Sequence, residues 1–212
     1  NTSARRFYEA CGYSNWDVAW DCSFSNNSFY VVGATNFDSL GFWPKTNASI
    51  QFPLVNKPGA YYQDTIADFD ISITEFNLMF NMTWSTFYGA ELSDNEPCFD
   101  IDSTGRMGIA FTTYSLNLPV FSTMTGSYAQ PSLGGADVGF TIFDQNGQKM
   151  MHTYLGGASN DVPEDMICNR KNEWIITGTT YSTNVTFPET NNIGAGLYFP
   201  TKSGSYDAYL AK

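Results

Sequence analysis

The sequence predicts an all-β fold in which a four-stranded antiparallel unit is used about three times. Three observations carry this expectation: an internal repeat, short alternating apolar runs cut by Gly- and Asn-rich turns, and the absence of helical periodicity. Composition agrees. Aromatic residues make up 17% of the 212-residue chain and charged residues only 15%, a balance suited to packed sheets rather than solvated helices.

The repeat is clearest where "STFYGAELSDNEPCFDID" (85–102) aligns with "HTYLGGASNDVPEDMICN" (152–169). The comparison places Tyr88 over Tyr154, Gly89-Ala90 near Gly156-Gly157 and Asp94 near Asp161. A weaker copy, "RRFYEACGYSNWDVAWDC", spans 5–22, and Thr-Thr-Tyr-Ser occurs at 112–115 and again at 179–182, an offset of 67.

Each unit reads as four strands in order. The first follows the glycines and runs to a tight turn such as Asp102-Ser103-Thr104-Gly105, where Gly supplies φ > 0. The second leads into a long connection containing an apolar-Pro pair: Phe52-Pro53, Leu118-Pro119 or Phe187-Pro188. An acid opens the third, with Asp68, Asp137 and Asp207 read in register; in "DISITEF", Ile71, Ile73 and Phe76 largely share one face while Ser72 and Thr74 take the other. The fourth follows a turn such as Asp144-Gln145-Asn146-Gly147 and returns to the next Gly pair.

Four strands per repeat without helices fit the blade of a β-propeller better than a sandwich. On this basis residues 1–14 end a preceding blade, 15–90 and 91–158 are full blades, and 159–212 form an incomplete one. A ring of three falls below the usual minimum of about four blades. The expectation is a partial propeller of about three blades from a longer chain.

The order "YLGG…D", "GTTYS…FP", "SYDAYLAK" and "DQNGQKMMHTYLGG" resembles the SBBP repeat, a β-propeller repeat of large secreted and surface proteins of Bacteroidota and other bacteria. The likeness covers nearly the whole chain. It implies an extracellular location on the outer-membrane exterior of a Gram-negative bacterium, with links to gliding motility, adhesion or type IX secretion. The partners it implies are other domains of a longer parent protein and surface or secretion-system proteins. "DSL" (38–40) and "DTI" (64–66) are similar to the Asp-Ser/Thr-apolar sequence O-glycosylated in exported proteins of Bacteroidota, with Ser39 and Thr65 as the modified residues and ordinary turn chemistry as the alternative.

A net charge of −11 and a pI near 4.2 argue against a partner that is nucleic acid, which demands a positive face. No apolar run approaches the roughly 18–20 residues of a membrane span. The four cysteines show no CxxC pairing; Cys11 and Cys22, the closest pair, are the candidate disulfide, against free cysteines packed as small apolar residues. His152 is the only His and has neither a metal partner nor a Gly-x-Ser-x-Gly elbow.

The recurring Asp68, Asp137 and Asp207, and Asp161 beside Gly156-Gly157, read as structural turn acids, short carboxylates accepting backbone N–H bonds. "DIDSTG" (100–105) looks like the start of a calcium loop but lacks its distal Glu and sits where a hairpin turn is needed. Most aromatics are expected between blades; Phe42, Trp43, Tyr61 and Tyr62, in the long connection, are the candidate contact aromatics. With no convergent catalytic set, cofactor site or metal site in view, the expected function is a non-enzymatic interaction or scaffold module. A sugar-binding propeller is the alternative, and a fragment of a glycan-active enzyme the third possibility.

Overall fold

The computed structural model describes residues 16–36, 52–132, 134–183, 187 and 205–212. These residues form twelve strands in three antiparallel sheets, and no helix occurs among them. Sheet one runs β1 (Trp16–Ser25), β2 (Ser28–Asn36), β3 (Phe69–Asn77), β4 (Met82–Tyr88). Sheet two runs β5 (Asp94–Ile101), β6 (Met107–Thr113), β8 (Asp137–Phe143), β9 (Lys149–Leu155), with the two-residue β7 (Phe121–Ser122) on the outer edge of β9. Sheet three runs β10 (Asp161–Cys168), β11 (Trp174–Thr180), β12 (Asp207–Ala211). None of the three closes on itself.

Four of the turns are the same five-residue device. Asn77, Asp102, Asp144 and Asn169 each accept, through the side-chain oxygen, backbone N–H groups two and four residues ahead. The fourth residue of each turn then adopts a left-handed conformation: Phe80 (φ 56), Gly105 (φ 84), Gly147 (φ 82) and Asn172 (φ 59). The calcium-like "DIDSTG" is one of these turns. Asp102 spends its oxygens on Thr104 and on Arg106, whose Nε lies 2.6 Å from Oδ2.

Register corrects two alignments made from the sequence. β3 pairs Asp70 with Thr35 just as β8 pairs Asp137 with Thr113 and β12 pairs Asp207 with Thr180. The residue equivalent to Asp137 is therefore buried Asp70, and Asp68 is exposed two residues earlier. Likewise Tyr88 lies opposite Ile71 as Leu155 lies opposite Val138, so Phe87 takes the place of Tyr154. A slip of one residue reverses the face a side chain occupies, which is why the correction matters for the core.

The first strands of the three sheets lie beside one another. Phe99 N–H of β5 donates to Asp21 Oδ2 of β1 (3.3 Å), and Cys168 N–H of β10 donates to Asp100 Oδ2 of β5 (2.7 Å). Between sheets one and two, Tyr88 meets Phe111, Phe143 and His152 edge-on or tilted, and Trp84 meets Phe143 while its Nε1–H donates to Tyr61 O. Between sheets two and three, Trp174 lies on Gly108, where a Cβ would sit 2.8 Å from its ring, and against Phe140. Truncating a buried ring of this kind costs about 3–5 kcal/mol, so these two seams hold the sheets together.

Candidate functional site

Among the described residues, buried polar groups gather where the chain passes from one sheet to the next. At the first junction Asp94 Oδ2 accepts from Ala90 N–H (2.8 Å) and Ser115 Oγ (2.9 Å), and Ser115 Oγ also accepts from Leu92 N–H. At the second, Asp161 Oδ2 accepts from Gly157 N–H (2.7 Å) and Ser182 Oγ (2.8 Å), and Ser182 Oγ accepts from Ser159 N–H. The two loops are wired atom for atom. The repeated Thr-Thr-Tyr-Ser supplies these serines, and Thr113 and Thr180 Oγ1 accept the Ser115 and Ser182 N–H groups.

A second carboxylate from the preceding sheet completes each junction. A Cβ on Gly89 would lie 2.2 Å from Asp70 Oδ1 and 2.9 Å from Asp94 Oδ2; one on Gly156 would lie 2.0 Å from Asp137 Oδ1 and 3.0 Å from Asp161 Oδ2. Neither glycine has positive φ. They are required by the close approach of two acids rather than by a left-handed backbone. Gly157 is small for a related reason, since a Cβ there would touch Ser182.

Burial sets the electrostatics of these pairs. Asp70, Asp94, Asp137 and Asp161 have no solvent exposure. Burial, reinforced by Asp94 and Asp68, pushes the Asp70 carboxyl up to about 8; burial pushes Asp94 up to about 6 against the hydrogen bonds that favour its charged form; and burial raises the Asp161 carboxyl against its own hydrogen bonds. Two acids sharing a dry site cannot both ionise freely, so the Asp70–Asp94 pair holds a proton near neutrality. Carboxyls raised in this way could in principle serve acid–base chemistry, but Asp70 and Asp94 have no exposure through which a substrate would reach them. The geometry makes the pair a joint between sheets.

The other expected site residues are dispersed. Asp207 heads β12 opposite Thr180. Tyr61 is half-buried against Tyr88 and Phe143, with Lys149 Nζ 5.0 Å above its ring, so it belongs to the seam between sheets one and two. Tyr62 and Thr65 are exposed. Cys22 is an exposed free thiol, as Cys98 and Cys168 are free. Cys11, Ser39, Phe42 and Trp43 lie outside the described residues. His152, fully buried, packs against Tyr88, Phe111 and Tyr154, and burial followed by the charge of Lys149 depresses it to about 3.

Sequence reading missed two features. Asp70 was recoverable, because the offset of 67 that joins the Thr-Thr-Tyr-Ser copies carries Asp70 onto Asp137. The other is the apolar surface at the hairpin ends of sheet one, where Phe24 packs tilted against Phe29 and Phe29 stacks on Phe80, beside exposed Leu78 and Met79. Among the described residues no group of three or more His, Cys, Asp or Glu is placed to hold a metal ion. No protein-family model matches the chain, and no curated protein matches it.

Proposed function

We propose that the chain is a non-enzymatic β-propeller module of a bacterial cell-surface or secreted protein, in which the sheets act as blades and their exposed surfaces bind other proteins. Its setting in adhesion, gliding motility or type IX secretion follows the resemblance to the SBBP repeat. The observation that carries this reading is the duplicate wiring at Gly89 and Gly156. The acids that recur in the sequence are consumed in holding one sheet to the next, while the surface offers apolar side chains such as Leu78 and Met79. Tyr61, one of the aromatics that could have stacked on a sugar, is covered by protein rings and Lys149, which favours protein contact over glycan contact.

The test is retention of purified chain on outer-membrane and secretion-system preparations, measured as a saturable isotherm. Binding is expected, and Leu78→Asp/Met79→Asp should weaken it at least tenfold. Absence of binding, or glycan cleavage abolished by Asp94→Asn in a variant that still folds, would overturn the reading.

A further inference from the structure

One of the four five-residue turns carries chemistry that the other three lack. The residues standing before the left-handed position are Met79, Thr104, Asn146 and Lys171. Asn146-Gly147 alone sets a side-chain amide beside a glycine, and it is the single Asn-Gly pair among the 18 asparagines of the chain. Asn146 is exposed, whereas Gly147 is buried.

Gly147 is fixed by its surroundings. Its φ of 82 lies in the left-handed region, and a Cβ there would sit 2.9 Å from Ala60 Cβ and 3.2 Å from the Trp84 ring. Its carbonyl accepts the Tyr61 N–H at 2.8 Å. The turn of sheet two therefore clamps the connection that carries Ala60 and Tyr61 along sheet one. Asn146 helps to hold that turn: its N–H donates to Asp144 Oδ1 (2.8 Å), and its Nδ2 lies 3.5 Å from Asp144 Oδ2.

We propose that Asn146 is a self-modification site, converted to aspartate and isoaspartate with water as co-reactant, and that the conversion releases this clamp. The Gly147 nitrogen gives up its proton to hydroxide and attacks Asn146 Cγ. A C–N bond closes a succinimide ring while the Cγ–Nδ2 bond breaks, and the departing nitrogen takes up a proton to leave as ammonia. One water then opens the ring. Cleavage at Cγ gives aspartate in an ordinary chain; cleavage at the main-chain carbonyl carbon gives isoaspartate, with the chain running through the former side chain. Glycine permits the attack because no side chain shields its nitrogen. The Gly147 N–H bond to Asp144 O (2.9 Å) must open first, so the folded chain converts more slowly than the unfolded one.

Both products act against the turn. Each exchanges the amide near the Asp144 carboxylate for a second carboxylate, and like charges repel. Isoaspartate also lengthens the main chain by a methylene, so Gly147 cannot keep its carbonyl on Tyr61 and its N–H on Asp144 together.

The experiment incubates the folded 212-residue chain at neutral and mildly alkaline pH. Peptide mapping by mass spectrometry and labelling with an isoaspartate methyltransferase follow the conversion, and hydrogen exchange at the Tyr61 amide is read on the same samples. Asn146 is expected to convert ahead of every other asparagine and faster at the higher pH, with Tyr61 protection falling about tenfold in converted chains. Asn146→Ser, which has no amide, should neither convert nor lose Tyr61 protection. Asn146→Asp should lose part of it, having the charge without the longer chain. If Asn146 in the folded chain converts no sooner than Asn27, which precedes Ser28, the modification site is overturned. Converted chains that keep Tyr61 protected, or an equal loss in Asn146→Ser, overturn the release of the clamp.

Discussion

Asp70 and Asp94, on neighbouring sheets, converge on the one position where a side chain has been omitted, Gly89. The expected consequence is that Gly89→Ala is among the most damaging small changes in the chain. Its methyl would lie 2.2 Å from Asp70 Oδ1, so the carboxylates must separate or the strands must shift. A loss of about 1–3 kcal/mol or more follows from such overpacking. Gly156→Ala should behave alike, with the corresponding approach to Asp137 at 2.0 Å. Urea denaturation measures both; a loss below about 0.5 kcal/mol would show that the junction is loose.

The acid pairs make stability fall as pH rises. Asp70 is raised from an ordinary value of 3.8 to about 8 and Asp94 to about 6. Between pH 4 and 8 the unfolded chain has already lost protons that the folded chain still holds, so ionisation favours unfolding. Stability is greatest near pH 4 with respect to these groups and declines through pH 6 and 8, by an amount on the order of a few kcal/mol. Asp70→Asn needs no proton and can keep the Gln63 contact through its amide oxygen. It should flatten the decline, as read from denaturant midpoints at pH 5, 7 and 9.

His152 acts with the opposite sign. Its folded value, about 3, lies below the 6.5 of an unfolded histidine, so the unfolded chain gains a proton first as pH falls. Stability from neutral His152 is intact above pH 6.5 and is lost progressively down to about pH 3. Because the chain has one histidine, its imidazole proton resonance can be followed without assignment. It should stay unshifted from pH 8 to 5, and a midpoint near 6.5 would show that the ring reaches solvent.

The division into repeated strands was legible because turn chemistry and alternation are local, and the sequence carries both. Asp102, Asp144 and the left-handed Gly105 and Gly147 are read directly from "DSTG" and "DQNG". The same device was illegible in "NLMFN" (77–81), where Phe80 replaces the expected glycine and Asn77 replaces the expected Asp as the side-chain acceptor. Pairing of Asp70 with Asp94 was harder still, because it joins strands of different sheets. Composition places acids beside glycine but does not say which acid comes from the neighbouring sheet. Tyr61 shows the converse: a residue in an irregular connection looked free for contact, yet the connection lies along β4 and half-buries it against Tyr88 and Phe143.

The two junction serines provide a test that separates a repeated structural joint from a single special site. Ser115 Oγ bridges Leu92 and Asp94, and Ser182 Oγ bridges Ser159 and Asp161. Removing either hydroxyl leaves a buried carboxylate with one donor fewer and an amide without its acceptor, at a cost of about 1–3 kcal/mol. Ser115→Ala and Ser182→Ala should therefore cost similar amounts, and the double variant should cost their sum within about 0.5 kcal/mol, since the junctions share no partner. Guanidinium denaturation of the three variants measures this. A large effect at one serine with none at the other would mean that one junction has been specialised, and would redirect attention to that loop as a functional site.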